Sequence, residues 1–381
     1  MHTDPRFAAV VDEIDGQIRL RISAARALEL GEAESLVLET GLEELLGLAR
    51  VPEATRAAFR DPGRRLVLVN GWQSWSFAGE LGRSERVRPT LLKGMAPFSQ
   101  PPCRPAARGE FLSHFYLGLR AGEERLLLVS RNSGTPPVTF RLGRRRPTLR
   151  VGILAAGARF EAGAPVAELR LFHRTGYFGA KDAFRAAFGG FGHFDRLAFL
   201  GQGGSLMPGG YESWYNHYTK IDEAMIEEDL EALVAEPNLI RDYYLARGRP
   251  TVFQIDDGWQ RTVGEWEIHE GKFPRGLKRL AARAEEKGLV PGLWLAPFLV
   301  TRSSAVFRDH PDWLLRGKGG RLVSAGWNPN WEGDFFCLDL SIPEVGDYLE
   351  ALFERVVEDW GFRYLKLDFL YAGFLPGKRA R

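Results

Sequence analysis

The stretch Tyr364-Leu365-Lys366-Leu367-Asp368-Phe369-Leu370 decides the fold of this chain. Its residues are apolar except for one lysine and one aspartate, and turn-forming residues follow it, so it predicts a buried β-strand. Side chains alternate along a strand, which places Lys366 and Asp368 on the same face. Such a pair is either a structural ion pair or part of a site at the carboxyl end of a parallel barrel strand, and this strand alone favours neither interpretation.

Strands and helices alternate through the second half of the chain. Apolar runs predict four strands, at Gly210–Asn216, Thr251–Asp257, Leu289–Pro297 and Tyr364–Leu370. Apolar residues at helical spacing lie between them, and this alternation predicts a parallel sheet with right-handed crossovers. Four such units are typical of half an eight-stranded (β/α)8 barrel, and an open doubly wound sheet is the competing topology.

Capping signals predict where these helices begin and end. Asp222 is placed to cap the first helix, which Pro237 stops, and Gly288 follows the second helix. Ser341 and Glu344 have the spacing of a capping box at the start of the third helix, which is expected to end at Gly361.

The first half of the chain reads mainly as β-structure. Short apolar or alternating runs separated by turn clusters predict strands at Gln17–Ile22, Leu36–Glu39, Leu66–Val69, Phe111–Leu119, Arg125–Ser130, Val138–Leu142 and Ala167–His173. Many short strands of this kind are typical of a β-sandwich. We therefore predict a β plus α/β protein, with a β-sandwich over residues 1–195 and a barrel domain over residues 196–381, of which about four strands are present.

Composition narrows the classes of partner. The chain has 381 residues, 45% of them hydrophobic, and a net charge of +2, which argues against nucleic acid or a membrane as the main partner. The sequence shows no signal pattern and no apolar run that spans a bilayer, so a soluble, cytoplasmic protein is predicted. Cys103 and Cys337 show no metal or redox spacing, and we expect no metal and no cofactor.

Carboxylates and tryptophans gather where the four predicted strands end. They are Glu212 and Trp214 after the first, Asp256-Asp257 after the second, Trp294 in the third and Lys366 with Asp368 in the fourth. Acids hydrogen-bond sugar hydroxyls and aromatic rings stack on the apolar sugar face, so the set predicts a sugar site. A carboxylate near a cation stays ionised, and Lys366 is expected to serve Asp368 as that cation.

The second half resembles the bacterial α-galactosidases of glycoside hydrolase family 36. The stretches that carry the resemblance are Gly210-Tyr211-Glu212-Ser213-Trp214-Tyr215, Phe253-Gln254-Ile255-Asp256-Asp257-Gly258-Trp259, Pro291-Gly292-Leu293-Trp294-Leu295-Ala296-Pro297-Phe298, His310-Pro311-Asp312-Trp313 and Tyr364–Gly373. The first half matches more loosely, through Asn70–Ser76. The family has an N-terminal β-sandwich before a (β/α)8 barrel, and it hydrolyses terminal α-linked galactose with retention.

The resemblance implies a role for each matching residue. Asp368 matches the catalytic nucleophile, and the residues that match the sugar site are Asp256, Asp257, Lys366, Trp294, Trp214, Tyr215 and Trp75. Asp256 and Asp257 are expected to hold galactose hydroxyls, and Trp294 to line the pocket. Trp75 matches a tryptophan that the N-terminal domain sends into the site, which would account for the unusual turn Asn70–Ser76.

One part of the family mechanism has no match. A retaining glycosidase needs a second carboxyl group about 5–5.5 Å from the nucleophile as acid and base. In the family it lies on a later barrel strand, so the chain resembles an N-terminal portion ending after the nucleophile strand. Residues 1–381 alone are therefore expected not to turn over α-galactosides.

Three other functions compete with α-galactosidase. They are a transglycosidase that moves galactose to a sugar acceptor, a non-catalytic galactoside-binding fragment, and a Schiff-base aldolase that uses Lys366. The aldolase leaves Asp256, Asp257 and the tryptophans without a role, and borohydride trapping would detect it. Combined measurement of galactose binding and turnover separates the binding fragment from the enzymes.

Overall fold

The structure, a computed structural model, describes residues 1–14, 17–31, 34–72, 76–87, 109–131, 136–155, 157–188, 209–235 and 237–380. The described residues form two compact units. The first holds those up to residue 188 together with Arg316–Arg321 and Phe374–Arg379, and the second holds most of those from residue 209 onward.

The first unit is built from antiparallel strands. They are β1 (His2–Thr3), β2 (Phe7–Ile14), β3 (Gln17–Ala24), β4 (Leu28–Glu29), β5 (Ser35–Gly41), β6 (Arg65–Val69), β7 (Gly79–Leu81), β8 (Glu110–His114), β9 (Tyr116–Ala121), β10 (Glu124–Ser130), β11 (Val138–Gly143), β12 (Thr148–Ile153), β13 (Arg159–Phe160) and β14 (Pro165–Thr175). All seven predicted strand segments are therefore confirmed as β-structure. The predicted strand Phe111–Leu119 is two strands, because Phe115 between them has a φ of 68° and breaks the extended backbone.

Two larger sheets of this unit share one apolar cluster. A five-stranded sheet has the order β1-β5-β12-β11-β8, and a seven-stranded sheet has the order β2-β3-β14-β10-β9-β6-β7. Val37 and Phe140 from the first sheet and Val67 and Leu169 from the second belong to the same buried cluster. Burial of one face of each sheet against the other is the main hydrophobic contribution to this unit.

In the described part of this unit, the helices that accompany the sheets are α1 (Leu42–Leu48), α2 (Glu53–Arg60) and α3 (Gly179–Phe188). Leu46 of α1 and Phe59 of α2 join the shared core. Helix α3 places Ala183 and Ala187 in a separate cluster with Leu127 and Phe172. Leu127 is adjacent in β10 to Leu126 and Leu128 of the shared core, so α3 covers the other face of the seven-stranded sheet.

The second unit contains a parallel sheet of four strands in chain order. They are β15 (Gly209–Glu212), β16 (Thr251–Ile255), β17 (Val290–Leu295) and β21 (Tyr364–Leu367). Each pair is parallel, with Glu212 opposite Gln254 and Trp294 opposite Lys366. The predicted order and direction of the four strands are confirmed, and the parallel pairing brings their carboxyl ends to one edge of the sheet.

The strand that decides the fold is shorter and less buried than predicted. Strand β21 ends at Leu367, Phe369 has a φ of 54°, and a 3₁₀ turn covers Leu370–Phe374. Within the described residues β21 pairs with β17 alone, and Leu367 is 39% exposed. The prediction of a fully buried strand over Tyr364–Leu370 is therefore wrong, because an edge strand exposes one side of its backbone and part of its side chains.

The helices of the second unit are α4 (Trp214–His217), α5 (Glu223–Ala235), α6 (Leu277–Glu286), α7 (Ala305–Asp309) and α8 (Pro343–Glu354). The cap at Asp222 is confirmed, since its Oδ1 accepts the Met225 amide at 2.9 Å. The capping box at Ser341 is wrong. Helix α8 has Ile342 at its N-cap, and the Ser341 hydroxyl donates instead to Asp339 at 2.8 Å.

An ion-pair ladder joins α5 to α6 and to the segment before it. Glu223, Glu227 and Glu231 lie on successive turns of α5, and their carboxylates contact the cations Arg275, Arg279, Arg283 and Lys287. The Glu227 carboxylate contacts all three of the arginines. Because α5 follows β15 and α6 follows β16, the ladder links the crossovers of two neighbouring strands.

A second, antiparallel sheet lies between β17 and β21 in the sequence. Its strands are β18 (Leu299–Thr301), β19 (Ser324–Asn328) and β20 (Gly333–Cys337), in the order β18-β20-β19. Its apolar cluster includes Phe336 and Val345, so α8 packs on this sheet. The tight turn between β19 and β20 contains Trp331, which is 6% exposed.

Of the helices in the described ranges, none combines the length and the apolar character that crossing a bilayer requires.

Candidate active site

The predicted site residues of the second unit lie together at the carboxyl edge of the parallel sheet. Glu212 is the last residue of β15, Asp256 and Asp257 follow β16, Trp294 is the penultimate residue of β17, and Asp368 follows β21. Hydrogen bonds between their side chains connect all four strands, as described below. Trp75 lies outside the described residues.

Lys366 makes its hydrogen bonds with carboxylates of other strands. Its Nζ donates to Asp256 Oδ2 at 2.8 Å and to Glu212 Oε2 at 3.4 Å. Burial opposes its charged form, but the hydrogen bond to Asp256 and the charges of Asp256, Glu212 and Asp368 outweigh burial and raise the pKa of Lys366. The sequence predicted Lys366 as the cation beside Asp368. In the structure Lys366 pairs directly with Asp256, and its charge acts on Asp368 from a greater distance.

Asp368 is held by two other donors. Trp294 Nε1 donates to its Oδ2 at 3.1 Å, and the Phe369 amide donates to its Oδ1 at 2.8 Å. The left-handed backbone at Phe369 is uncommon for a bulky residue. It is stabilised by packing of the Phe369 ring, whose centroid lies 4.9 Å from the ring centroid of Trp331 and 5.7 Å from that of Phe335. Both carboxylate oxygens therefore have fixed directions, which a nucleophile requires for attack on a bound substrate.

Asp256 is the buried centre of the polar cluster. Its Oδ2 accepts from Lys366 and from Gln254 Nε2 at 2.6 Å, and its Oδ1 accepts the Asp257 amide at 2.8 Å. The Asp256 amide donates to Ser213 Oγ at 2.9 Å. Asp256 is only 2% exposed, and these donors offset the cost of removing its carboxylate from water.

Asp257 is equally buried, but none of the described cations lies in hydrogen-bond contact with it. Gln260 Nε2 donates to its Oδ1 at 2.6 Å, and Trp331 Nε1 donates to its Oδ2 at 2.7 Å. Burial raises the pKa of Asp257 to about 6, and the charge of Asp256 adds to this, while the bonds from Gln260 and Trp331 oppose it. Sequence reasoning missed Gln260 and Trp331. Gln260 follows Asp257 by three residues in a turn, and this short spacing is a sequence signal that the two side chains lie close together.

The pH dependence of stability is expected to report the burial of Asp257. The carboxyl of Asp257 has a pKa of about 6 in the folded protein and of 3.8 in the unfolded chain. Its protonated form therefore stabilises the fold at low pH, and this contribution is lost as the pH rises from 3.8 through 6. In Asp257→Asn this titration is absent, so the free energy of unfolding of wild type relative to the variant should fall by about 3 kcal/mol from pH 3.5 to pH 7. Urea unfolding of both proteins across this range measures it, and a difference independent of pH would contradict the assignment.

Four indole rings pack in a row beside the polar residues of the site. The centroids of Trp259, Trp266, Trp294 and Trp331 follow one another at 6.1, 5.9 and 6.0 Å, and Trp259 Nε1 donates to the Trp294 carbonyl at 2.9 Å. Trp294 is 2% exposed, so the atom that it presents to the site is the Nε1 that bonds Asp368. The packed rings fix the direction of that bond.

Trp214 and Tyr215 lie beyond the end of β15. The predicted strand Gly210–Asn216 is wrong past Glu212, because the chain turns into the short helix α4. Trp214 is half-buried, and its ring centroid lies 5.2 Å from that of Tyr218 in a T-shaped arrangement, whereas Tyr215 is 79% exposed. His217 Nε2 lies 2.7 Å from Asp229 Oδ2 and ties this helix to α5, while the Tyr211 hydroxyl of β15 donates to the same oxygen.

The polar residues of the site do not form a recognisable metal centre. Within the described ranges, no group of three or more His, Cys, Asp or Glu side chains is arranged to hold a metal ion. Lys366 pairs with the Asp256 and Glu212 carboxylates at this edge of the sheet.

Comparison with known families places this site in context. Residues 247–371, which contain β16, β17 and β21, match the sequence model of the melibiase family. α-Galactosidase AgaA of Geobacillus stearothermophilus is 34% identical over 140 residues, and the Escherichia coli α-galactosidase is 30% identical over 123 residues. These alignments cover 33% and 30% of this chain but only 18% and 16% of the relatives.

Solved structures extend the likeness beyond this segment. The α-galactosidase TtGalA of Thermus thermophilus, solved with p-nitrophenyl α-D-galactopyranoside, matches 97% of this chain with a TM-score of 0.62 at 28% identity. The chain spans 65% of the length of TtGalA. A variant of AgaA in complex with raffinose matches 95% of the chain with a TM-score of 0.56, and its 17% identity shows a likeness of fold. The resemblance to family 36 α-galactosidases predicted from the sequence is confirmed.

Proposed function

We propose that this chain carries the galactose-binding residues and the nucleophile of a retaining α-galactosidase. Its substrates are oligosaccharides with a terminal α-linked galactose, such as melibiose or raffinose. The observation that carries the proposal is the network at one sheet edge, in which Lys366 bonds Asp256 and Trp294 bonds Asp368. The relatives that share the segment are α-galactosidases, which supports the choice of sugar.

Asp256 and Asp257 are proposed to accept hydrogen bonds from galactose hydroxyls. A carboxylate offers about four lone-pair positions, and the contacts described above occupy three at Asp256 and two at Asp257. The existing hydrogen bonds fix the orientation of each carboxylate and therefore of its remaining lone pairs. A sugar hydroxyl thus donates to acceptors whose direction is already set. Bonds to charged groups are stronger than neutral ones, which suits the recognition of a neutral sugar.

Asp368 is proposed to attack the anomeric carbon and form a covalent galactosyl intermediate. The bonds from Trp294 and Phe369 orient its two oxygens, and the charge interaction between Lys366 and Asp368 places a cation near the attacking group. The acid and base of the two-step mechanism is proposed to be a carboxyl group other than Glu212, Asp256, Asp257 and Asp368, since those four are assigned to sugar binding or nucleophilic attack. Transfer to a sugar acceptor instead of water uses the same first step.

The architecture is proposed to follow the family. We assign residues 1–195 to a β-sandwich, supported by the two antiparallel sheets that share one core. We assign residues 196–381 to the first four strands of a (β/α)8 barrel, supported by four parallel strands in chain order with polar residues at their carboxyl ends. Trp214 and Tyr215 are proposed to line the sugar pocket.

Calorimetric titration of the chain with D-galactose tests the proposed binding role. Wild type is expected to bind galactose in preference to D-glucose, and Asp256→Ala and Asp257→Ala should each weaken galactose binding by about one to two powers of ten through loss of a charge-assisted bond. Asp309→Ala is the matched control, because Asp309 is an exposed aspartate of the same unit that pairs only with the adjacent Arg308 among its described contacts. Full galactose affinity in a folded Asp256 or Asp257 variant would contradict that assignment.

A further inference from the structure

Accessibility divides the polar cluster into a buried part and an open part. The side chain of Asp256 is 3% exposed, whereas those of Lys366 and Glu212 are 36% and 30% exposed. Asp256 Oδ2 is also occupied by two donors. A ligand that approaches this edge of the sheet from solvent therefore meets Glu212 and Lys366 before it meets Asp256.

Glu212 is held in place and keeps free bonding capacity. Its Oε2 accepts from Lys366 at 3.4 Å, and the Asp256 carboxyl is its other side-chain hydrogen-bond neighbour among the described residues. Burial raises the pKa of Glu212, and the neighbouring Asp256 carboxylate adds to this, while Lys366 opposes it. A glutamate at the end of a strand, part-buried beside a second carboxylate, is costly if it has no role in binding.

We propose that Glu212 is a further substrate-binding residue, which acts with Lys366 to bind two hydroxyls on adjacent carbons of the galactoside. One hydroxyl accepts a hydrogen bond from the Lys366 ammonium, and its neighbour donates to a Glu212 oxygen. Asp256 serves as the buried anchor that fixes the position of Lys366. The inference rests on the proposed function, because it concerns the same sugar.

The geometry accounts for why two groups are needed. The ammonium of Lys366 only donates hydrogen bonds, and an ionised carboxylate only accepts them. Placed beside each other at the solvent side of the cluster, they match a diol, in which one hydroxyl accepts while the next donates. A sugar that lacks either hydroxyl leaves one of these partly buried groups without its partner, which is the basis of strong discrimination.

Mono-deoxy sugars identify the hydroxyl that Glu212 binds. Calorimetry of the full chain with galactose and with its 2-, 3-, 4- and 6-deoxy analogues should show about ten- to hundredfold weaker binding to wild type for the analogue that lacks this hydroxyl. Glu212→Ala should bind galactose as weakly as wild type binds that analogue, and it should bind galactose and that analogue equally. This pattern is the coupling measured by a double-mutant cycle.

Two comparisons keep the test decisive. Glu344→Gln changes an exposed glutamate at the start of α8 and should leave every affinity unchanged. If Glu212→Ala weakens binding of all five sugars by one common factor, Glu212 acts only on the structure of the site and the inference is overturned. If the variant retains wild-type affinities, the inference also fails while the proposed function stands. If wild type binds none of the sugars, the proposed function fails and the inference fails with it.

Discussion

Asp368→Ala is expected to remove all covalent labelling of the chain by an activated α-galactosyl donor. A fluorinated α-galactoside with a dinitrophenol leaving group needs no proton donor for its departure, so formation of the covalent bond depends on the nucleophile alone. Wild type should gain the mass of one fluorogalactosyl group, and peptide mapping should locate it at Asp368. Intact-protein mass spectrometry measures the gain.

Two variants accompany this experiment. Azide added to Asp368→Ala with a dinitrophenyl α-galactoside, whose leaving group needs no proton donor, should yield β-galactosyl azide, because the small anion enters the space left by the carboxylate and attacks from its side. Trp294→Phe keeps the nucleophile but loses the 3.1 Å bond to Oδ2, so it should label more slowly and still at Asp368. Labelling of Asp368→Ala at the wild-type rate would exclude Asp368 as the nucleophile.

Lys366→Met is expected to lower the free energy of unfolding by about 2–3 kcal/mol at pH 7. Removal of the ammonium leaves the carboxylate of Asp256 buried with two neutral donors and beside Glu212. Breaking a fully buried pair costs about 3–5 kcal/mol. The lower figure applies because Lys366 is about a third exposed, which lets water screen part of the interaction.

The double variant Lys366→Met/Asp256→Asn provides the control. It removes both charges at similar volume, so it should recover most of the lost stability, whereas Asp256→Asn alone should not exceed wild type. Denaturant unfolding of the four proteins gives the coupling energy. A Lys366→Met variant as stable as wild type would show that the pair contributes nothing to the fold.

Much of the second unit could be predicted from the sequence, because its strands and helices follow local patterns of apolar residues. Apolar runs and helical spacing gave the four parallel strands and the helices between them, and the parallel pairing then required the strand ends to meet. The juxtaposition of Asp256 and Lys366 follows from that geometry, although residue spacing does not say which carboxylate the lysine selects. The structure resolves this choice through the 2.8 Å bond to Asp256.

Other features depend on contacts between residues distant in sequence. Trp331 lies in the turn between β19 and β20, and its Nε1 donates to Asp257, which is 74 positions away in the sequence. The sequence around Trp331 contains no pattern that predicts this contact. The left-handed backbone at Phe369 is stabilised by packing on Trp331 and Phe335, which sequence propensity does not report. Ser341 likewise follows the capping-box rule in sequence, yet its hydroxyl bonds Asp339 instead.

The ladder between α5 and α6 has a consequence for behaviour on heating. Charged side chains lose favourable hydration as temperature rises, so the cost of bringing Glu223, Glu227 and Glu231 against their arginines decreases, whereas stabilisation by apolar burial levels off. The crossovers of β15 and β16 are thus joined by an interaction whose relative weight grows with warming. The ends of these two strands carry Glu212 and Asp256, so ion pairs between the helices help this part of the sheet edge to keep its structure as temperature rises.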